Sequence, residues 1–154
     1  MEHKSKVRTC LWFASGGLEA ARRYVSIVPG SEIDAVHPHG NEDDPMVVEF
    51  TLAGAPMMIL TAGGGPEPSA AASISVLAED QDETDALWAA ITDGGEEGRC
   101  GWAFDRYGVS WQVVPKRMPE LLGANDPEAA RRAMEAMMTM RKIDIAAIER
   151  AAAA

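Results

Sequence analysis

Residues Cys100 to Gln112 hold two tryptophans, a tyrosine, a thiol and an amide within thirteen positions, the densest set of chemically useful side chains in the chain. Strand alternation sets Ser110, Gln112 and Val114 on one face and Val109, Trp111 and Val113 on the other. Two uses follow. Trp111 can be core beneath a helix, with Tyr107 closing a turn, or Cys100, Trp102 and Gln112 can line a concave pocket that offers a few polar groups. A nucleophilic role for Cys100 needs a neighbouring base, and no histidine of the chain is an obvious partner.

Three other groups call for chemistry. Glu49 stands on the polar side of a strand otherwise made for burial, as a cleft carboxylate or a solvent-facing residue. His37-Pro38-His39 lies near Glu42, Asp43 and Asp44, donors that would need fixed convergence to hold a metal and that read instead as a solvated loop. Gly63-Gly64-Gly65 follows a strand, as a phosphate or methyl-donor loop would. Such a loop needs a helix N-terminus next to aim N–H groups at an anion, whereas Pro66-Glu67-Pro68 intervenes, so the run is expected to be a linker.

The elements that must position these groups come in a repeated order. Residues 7–13 read as a strand; Ser15-Gly16-Gly17 starts a helix carrying Leu18, Ala21, Val25 and Val28 at helical spacing, and Pro29-Gly30 ends it. Strands are expected over 31–37, 46–53 and 56–62, the second with Val48, Phe50 and Leu52 on one face and Val47, Glu49 and Thr51 on the other, turning at Ala53-Gly54-Ala55-Pro56. Beyond a linker at 63–72 the order recurs: a strand at 73–78, a helix capped by Asp80 or Asp82 with Thr84, Leu87, Trp88 and Ile91 inward, then strands over 96–104 and 109–114 broken at Asp105-Arg106-Tyr107-Gly108. The fold class is therefore α+β: two βαβββ modules, about 7–62 and 73–115, in one domain over 1–154. A C-terminal helix is expected over about 126–150, opened by Asn125-Asp126-Pro127-Glu128. Its stripe of Ala130, Met134, Met137, Met138, Ile145 and Ile148, widened by Met140, Ile143 and Ala147, packs on its own domain or forms a dimer contact.

Composition bounds the partners. The 154 residues are 47% hydrophobic and 25% charged, an ordinary globular balance. A net charge of −10 repels polyanions, so neither nucleic acid nor an anionic membrane is an expected partner. No window approaches the ~18 uninterrupted apolar residues of a membrane span. The N-terminus leads into a strand-like run and not a signal-peptide core, and two cysteines, Cys10 and Cys100, make no disulfide framework; a reducing cytoplasm is the expected setting.

Six stretches then fit one pattern: Cys10-Leu11-Trp12-Phe13; Tyr24-Val25-Ser26 through Pro29-Gly30-Ser31; Gly94-Gly95-Glu96-Glu97; Cys100-Gly101-Trp102 with Asp105-Arg106-Tyr107-Gly108; Ser110 to Pro115; and Met140 to Ile145. Over about residues 7–150 the chain resembles the PhnB-like family, often labelled 3-demethylubiquinone-9 3-methyltransferase, of the vicinal oxygen chelate superfamily that includes glyoxalase I, bleomycin-resistance proteins and extradiol dioxygenases. The resemblance implies a curved mixed sheet around a cleft, commonly in a homodimer. It also implies four metal-ligand slots on the first and fourth strands of each module, which fall here on Arg8 or Thr9, Thr61 or Ala62, Ala71 or Ala72, and Gln112. Only Gln112 can coordinate, and weakly, so no metal and no other cofactor is expected.

A metal-free protein binding a small, partly aromatic molecule is the expected function, with Trp12, Glu49, Cys100, Trp102, Tyr107 and Gln112 as cleft candidates. The alternatives are an enzyme of the superfamily, either the methyltransferase of the family label or a metal-dependent lyase or dioxygenase, and an interaction protein working through its methionine-rich C-terminal helix.

Overall fold

A computed structural model describes residues 5–39, 43–123 and 125–154; of the acidic loop considered above, Glu42 lies outside the described residues. The chain divides into two compact units, one ending at Glu67 and one running from Pro68. Among the described residues no helix is long and apolar enough to cross a membrane.

The first unit runs β1 (Thr9–Phe13), α1 (Gly17–Ile27), β2 (Glu32–His37), β3 (Val47–Leu52) and β4 (Ala55–Thr61). Its strands lie in the order β1-β4-β3-β2, β1 parallel to β4 and the other neighbours antiparallel. Alternation decides the packing: Val48, Phe50, Leu52, Met57 and Ile59 are buried on one face, where α1 lays Leu18, Ala20, Ala21 and Tyr24. The Tyr24 and Phe50 rings meet with centroids 6.3 Å apart. The β3–β4 turn is two residues, Ala53 and Gly54, both at positive φ as a tight hairpin of this hand requires, so Ala55 and Pro56 belong to β4.

The second unit repeats the order with β5 (Ser73–Ala78), α2 (Gln81–Thr92), β6 (Glu96–Glu97), β7 (Trp102–Phe104) and β8 (Ser110–Pro115), arranged β5-β8-β7-β6 with β5 parallel to β8. Asp80 caps α2 by accepting the Glu83 N–H. Thr84, Leu87, Trp88 and Ile91 of α2 are buried, as are Ala78, Ala103, Trp111 and Val113 of the sheet it packs on. The expected α+β fold with a repeated βαβββ order is present.

Two sequence expectations need correction. The strand over 96–104 is two strands separated by a turn in which Cys100 (φ 57°) and Gly101 (φ 83°) are left-handed. The single helix over 126–150 is two, α4 (Pro127–Met138) and α5 (Ile145–Ala153), preceded by a short α3 (Met118–Leu122) that the sequence did not reveal. The break has a physical cause: the Met140 and Arg141 carbonyls accept the Cys100 and Gly101 N–H groups at 2.9 and 2.8 Å, and Asp144 recaps the chain by accepting the Ala147 N–H. Met118, Ala133, Ile143 and Ile148 form a satellite core here, with Val114, Met137 and Met140 against it. A tether from α2 holds this layer: Gln81 donates to the Ile143 carbonyl and accepts the Ile145 N–H, and Asp85 receives Gln81 and Lys142. The hydrogen bonds from Lys142 and Gln81 hold the Asp85 carboxyl below its ordinary range.

Candidate functional site

In the second unit the face of the sheet turned from α2 carries Ser73, Ser75, Leu77, Trp102, Phe104, Ser110, Gln112 and Val114, since paired strand residues share a face. Trp102 pairs directly with Gln112, and Phe104 with Ser110. Gln112 Nε2 donates to Ser73 Oγ at 2.8 Å. That bond fixes the amide and leaves Gln112 Oε1 as an acceptor without a partner among the described residues, beside a half-buried indole. Ser110 is 1% exposed, and its hydroxyl has no hydrogen-bond partner among the described residues. Buried polar atoms are normally satisfied, so this hydroxyl is an exception that asks for a reason.

The other residues of the same motif do structural work. Trp111 is fully buried on the α2 side, and its Nε1–H donates to Asp105 Oδ2 at 2.9 Å. Asp105 Oδ1 also accepts the Tyr107 and Val109 N–H groups at 2.9 and 3.0 Å, closing the turn from β7 to β8. Tyr107 therefore lies on a turn and not on the strand face of Trp102 and Gln112. Cys100 sits on the β6–β7 turn, where its thiol meets the Met138 thioether at 3.7 Å.

In the first unit the face turned from α1 carries Cys10, Trp12, Glu49, Met58 and Leu60. Glu49 Oε1 is 2.7 Å from Arg8 Nη1 and 3.6 Å from His37 Nε2, with its side chain only 12% exposed. It is an ion-paired carboxylate on a sheet face, not a solvent-facing one. Trp12 is engaged by its own linker: Nε1 donates to the Gly63 carbonyl at 3.2 Å. A Cβ built on Gly65 would stand 2.5 Å from Cε2 of that same indole. The glycine run thus lies against Trp12, and the next regular element, β5, is a strand, so no helix start follows it. Replacing Gly65 with alanine is expected to push the indole aside, costing about 1–2 kcal/mol as local overpacking and red-shifting the tryptophan emission; unchanged emission would contradict the contact.

Among the described residues, His37, His39, Asp43 and Asp44 make no metal centre. Asp44 accepts the Gly16 N–H at 3.0 and 3.1 Å through its two oxygens, placing a carboxylate at the start of α1. The four slots implied by the superfamily do not fit a divalent ion either. Thr9 and Thr61 share the α1 side of the sheet, Arg8 is a cation paired with Glu49, and Ala71 and Ala72 precede β5. The hydroxyl that meets Gln112 belongs to Ser73. Among the described residues no group of three or more His, Cys, Asp or Glu is arranged to hold a metal.

Sequence reasoning missed Ser73, Phe104 and the orphan character of Ser110. Alternation alone puts Ser110 beside Gln112, but the Ser73 partnership needs the parallel register of β5 on β8.

The family described as 3-demethylubiquinone-9 3-methyltransferase matches residues 5–114. No curated protein matches. Among solved structures, a PhnB protein from Bacillus cereus described with the same methyltransferase name is 25% identical at a TM-score of 0.65, covering 72% of this chain and 99% of its own. A protein from Pseudomonas aeruginosa is 22% identical at 0.59, covering 73% and 98%. The fosfomycin resistance protein FosX from Listeria monocytogenes is 15% identical at 0.56, covering 76% and 95%, and shares the fold.

Proposed function

The chain belongs to the 3-demethylubiquinone-9 3-methyltransferase family, and from that premise we propose that it binds a small, planar, partly aromatic molecule without using a metal. The binding surface is the face of the second sheet that carries Trp102, Gln112 and Ser110. One observation carries this reading: a half-buried indole, an amide held by Ser73 with its oxygen unspent, and a buried hydroxyl without a partner occupy neighbouring positions on two paired strands. An aromatic face supplies stacking area at low entropic cost, and the amide oxygen fixes the orientation of a ring bearing N–H or O–H groups. Glu49, neutralised by Arg8, and Trp12, engaged by Gly63, are left outside this surface. The donor set supports a metal-free site: hydroxyls and one amide are weak ligands for a divalent ion.

The test is calorimetric titration with a panel of hydroxylated benzoquinones and naphthoquinones, chosen because they are planar and offer both donors and acceptors. Trp102→Ala is expected to weaken the best binder about 10–30-fold through lost stacking, and Gln112→Ala about 3–10-fold through one lost hydrogen bond. Trp12→Phe is expected to leave affinity within a factor of two or so. A binder whose affinity ignores Trp102 and Gln112 but falls with Trp12 would overturn the assignment.

A further inference from the structure

We propose that Cys100, Met138 and Met134 form a binding site for a soft monovalent metal ion, copper(I) being the physiological case. The site lies where the β6–β7 turn meets α4, apart from the sheet face of Trp102 and Gln112 and independent of any ligand there.

The sulfurs are brought together by backbone and not by chance contact of long side chains. The N–H groups of Cys100 and Gly101 donate to the Met140 and Arg141 carbonyls, and Arg141 Nη1 donates back to the Glu97 carbonyl at 2.9 Å. These bonds clamp the turn to the end of α4 from both sides. Cys100 Sγ then stands 3.7 Å from Met138 Sδ. A metal–sulfur bond of about 2.3 Å with tetrahedral or trigonal angles places two sulfur ligands roughly 3.8–4.0 Å apart, so the pair needs almost no movement to close on one ion.

The methionines divide by burial. Of those on or just after α4, Met137 and Met140 pack against the satellite core, whereas Met134 and Met138 remain 42% and 54% exposed. They are one helical turn apart, so both thioethers rise from the same face of α4. That puts a third sulfur, on a flexible stem, on the helix face that carries Met138.

Ligand chemistry selects the ion. A thiol with thioethers, and no imidazole or carboxylate in the set, disfavours magnesium, manganese and zinc and favours copper(I). On binding, the Cys100 thiol gives its proton to water, the thiolate and the thioether sulfurs donate electron pairs, and the oxidation state of copper does not change.

The experiment is an anaerobic titration of the reduced full-length protein with copper(I) presented as its bicinchoninate complex, whose colour reports the copper withdrawn. The wild type and Cys10→Ser are each expected to take one ion per chain. Cys100→Ser is expected to abolish competition with the chelator, and Met138→Leu to weaken it about tenfold or more. Met138 is exposed, so that variant leaves the fold intact, which circular dichroism checks. Binding lost with Cys10 in place of Cys100, a Met138→Leu protein that competes as well as the wild type, or zinc taken up as tightly as copper(I) would each overturn the site.

Discussion

Asp105→Asn is expected to destabilise the protein by about 2–4 kcal/mol, the sum of one or two buried donors left unsatisfied and the loss of charge-assisted bonds. Asp105 is 5% exposed, and among the described residues its oxygens accept from three donors, the Tyr107 and Val109 N–H groups on Oδ1 and the Trp111 indole on Oδ2. An asparagine offers one acceptor oxygen. Either orientation points its NH2 group at N–H donors, at the indole or at the two backbone groups. Urea unfolding should show a lower midpoint at unchanged slope, the mark of lost stability without a changed unfolded state. The coupling is testable: with Trp111→Phe already in place, one of the three donors is gone, and the added effect of Asp105→Asn should fall by about 1 kcal/mol or more. Strict additivity of the two substitutions would remove the indole from the account.

The consequence reaches the proposed binding face. The Asp105 turn joins β7 to β8, and the pairing of those strands sets Trp102 beside Gln112. A loosened turn lets the register relax, so Asp105→Asn should also weaken ligand binding although Asp105 touches no ligand. The residues of the motif thus divide between two roles. Asp105, Tyr107 and Trp111 build the hairpin, and Trp102, Ser110 and Gln112 present its other side.

What could be read from the sequence was what local chemistry determines. The alternation of Val48, Phe50 and Leu52 against Glu49 and Thr51 carries the burial of β3 directly. Asp80 and Asp126 announce their helices because a cap acts within three residues, and Asp126 accepts from the Glu128 and Ala129 N–H groups just ahead of Pro127. The features that spacing and alternation do not reveal share one cause, a partner far along the chain. The methionine stripe looks continuous from 134 to 148, but the Met140 and Arg141 carbonyls are claimed by the turn at Cys100, and the helix ends. Trp12 is an attractive ligand platform in sequence, yet its indole N–H is claimed by Gly63. Glu49 shows no sign in sequence that Arg8 will neutralise it from the chain just before β1. Likewise the Ser73 hydroxyl that steadies Gln112 comes from a strand with no motif of its own. Residue types and spacing therefore exposed the candidates, and only register could sort scaffold from surface.

The same sorting applies to the glycines that open α1, where Gly17→Ala is expected to cost about 2–3 kcal/mol although alanine is the better helix former by about 1 kcal/mol. A Cβ at Gly17 would stand 2.6 Å from Ile59 Cγ2 and closer still to Thr61 Oγ1, both on β4. Neither neighbour is the loose end of a long chain, so relief requires α1 to lift from the sheet and open the contacts of Leu18 and Ala21 behind it. Gly16 makes the contrast, with nothing within 4 Å of its Cβ position but φ at +76°. Gly16→Ala should cost only the ~1–2 kcal/mol of a left-handed alanine. The clash at Gly17 can be relieved from the other side. Thr61 is buried, and its hydroxyl has no hydrogen-bond partner among the described residues, so Thr61→Ala removes the nearest obstructing atom while sacrificing no hydrogen bond. The double variant should recover about half of the Gly17→Ala loss, because the Ile59 methyl remains. A Gly17→Ala protein as stable as the wild type, or one that Thr61→Ala fails to restore, would show that α1 does not rest on β4 at this point.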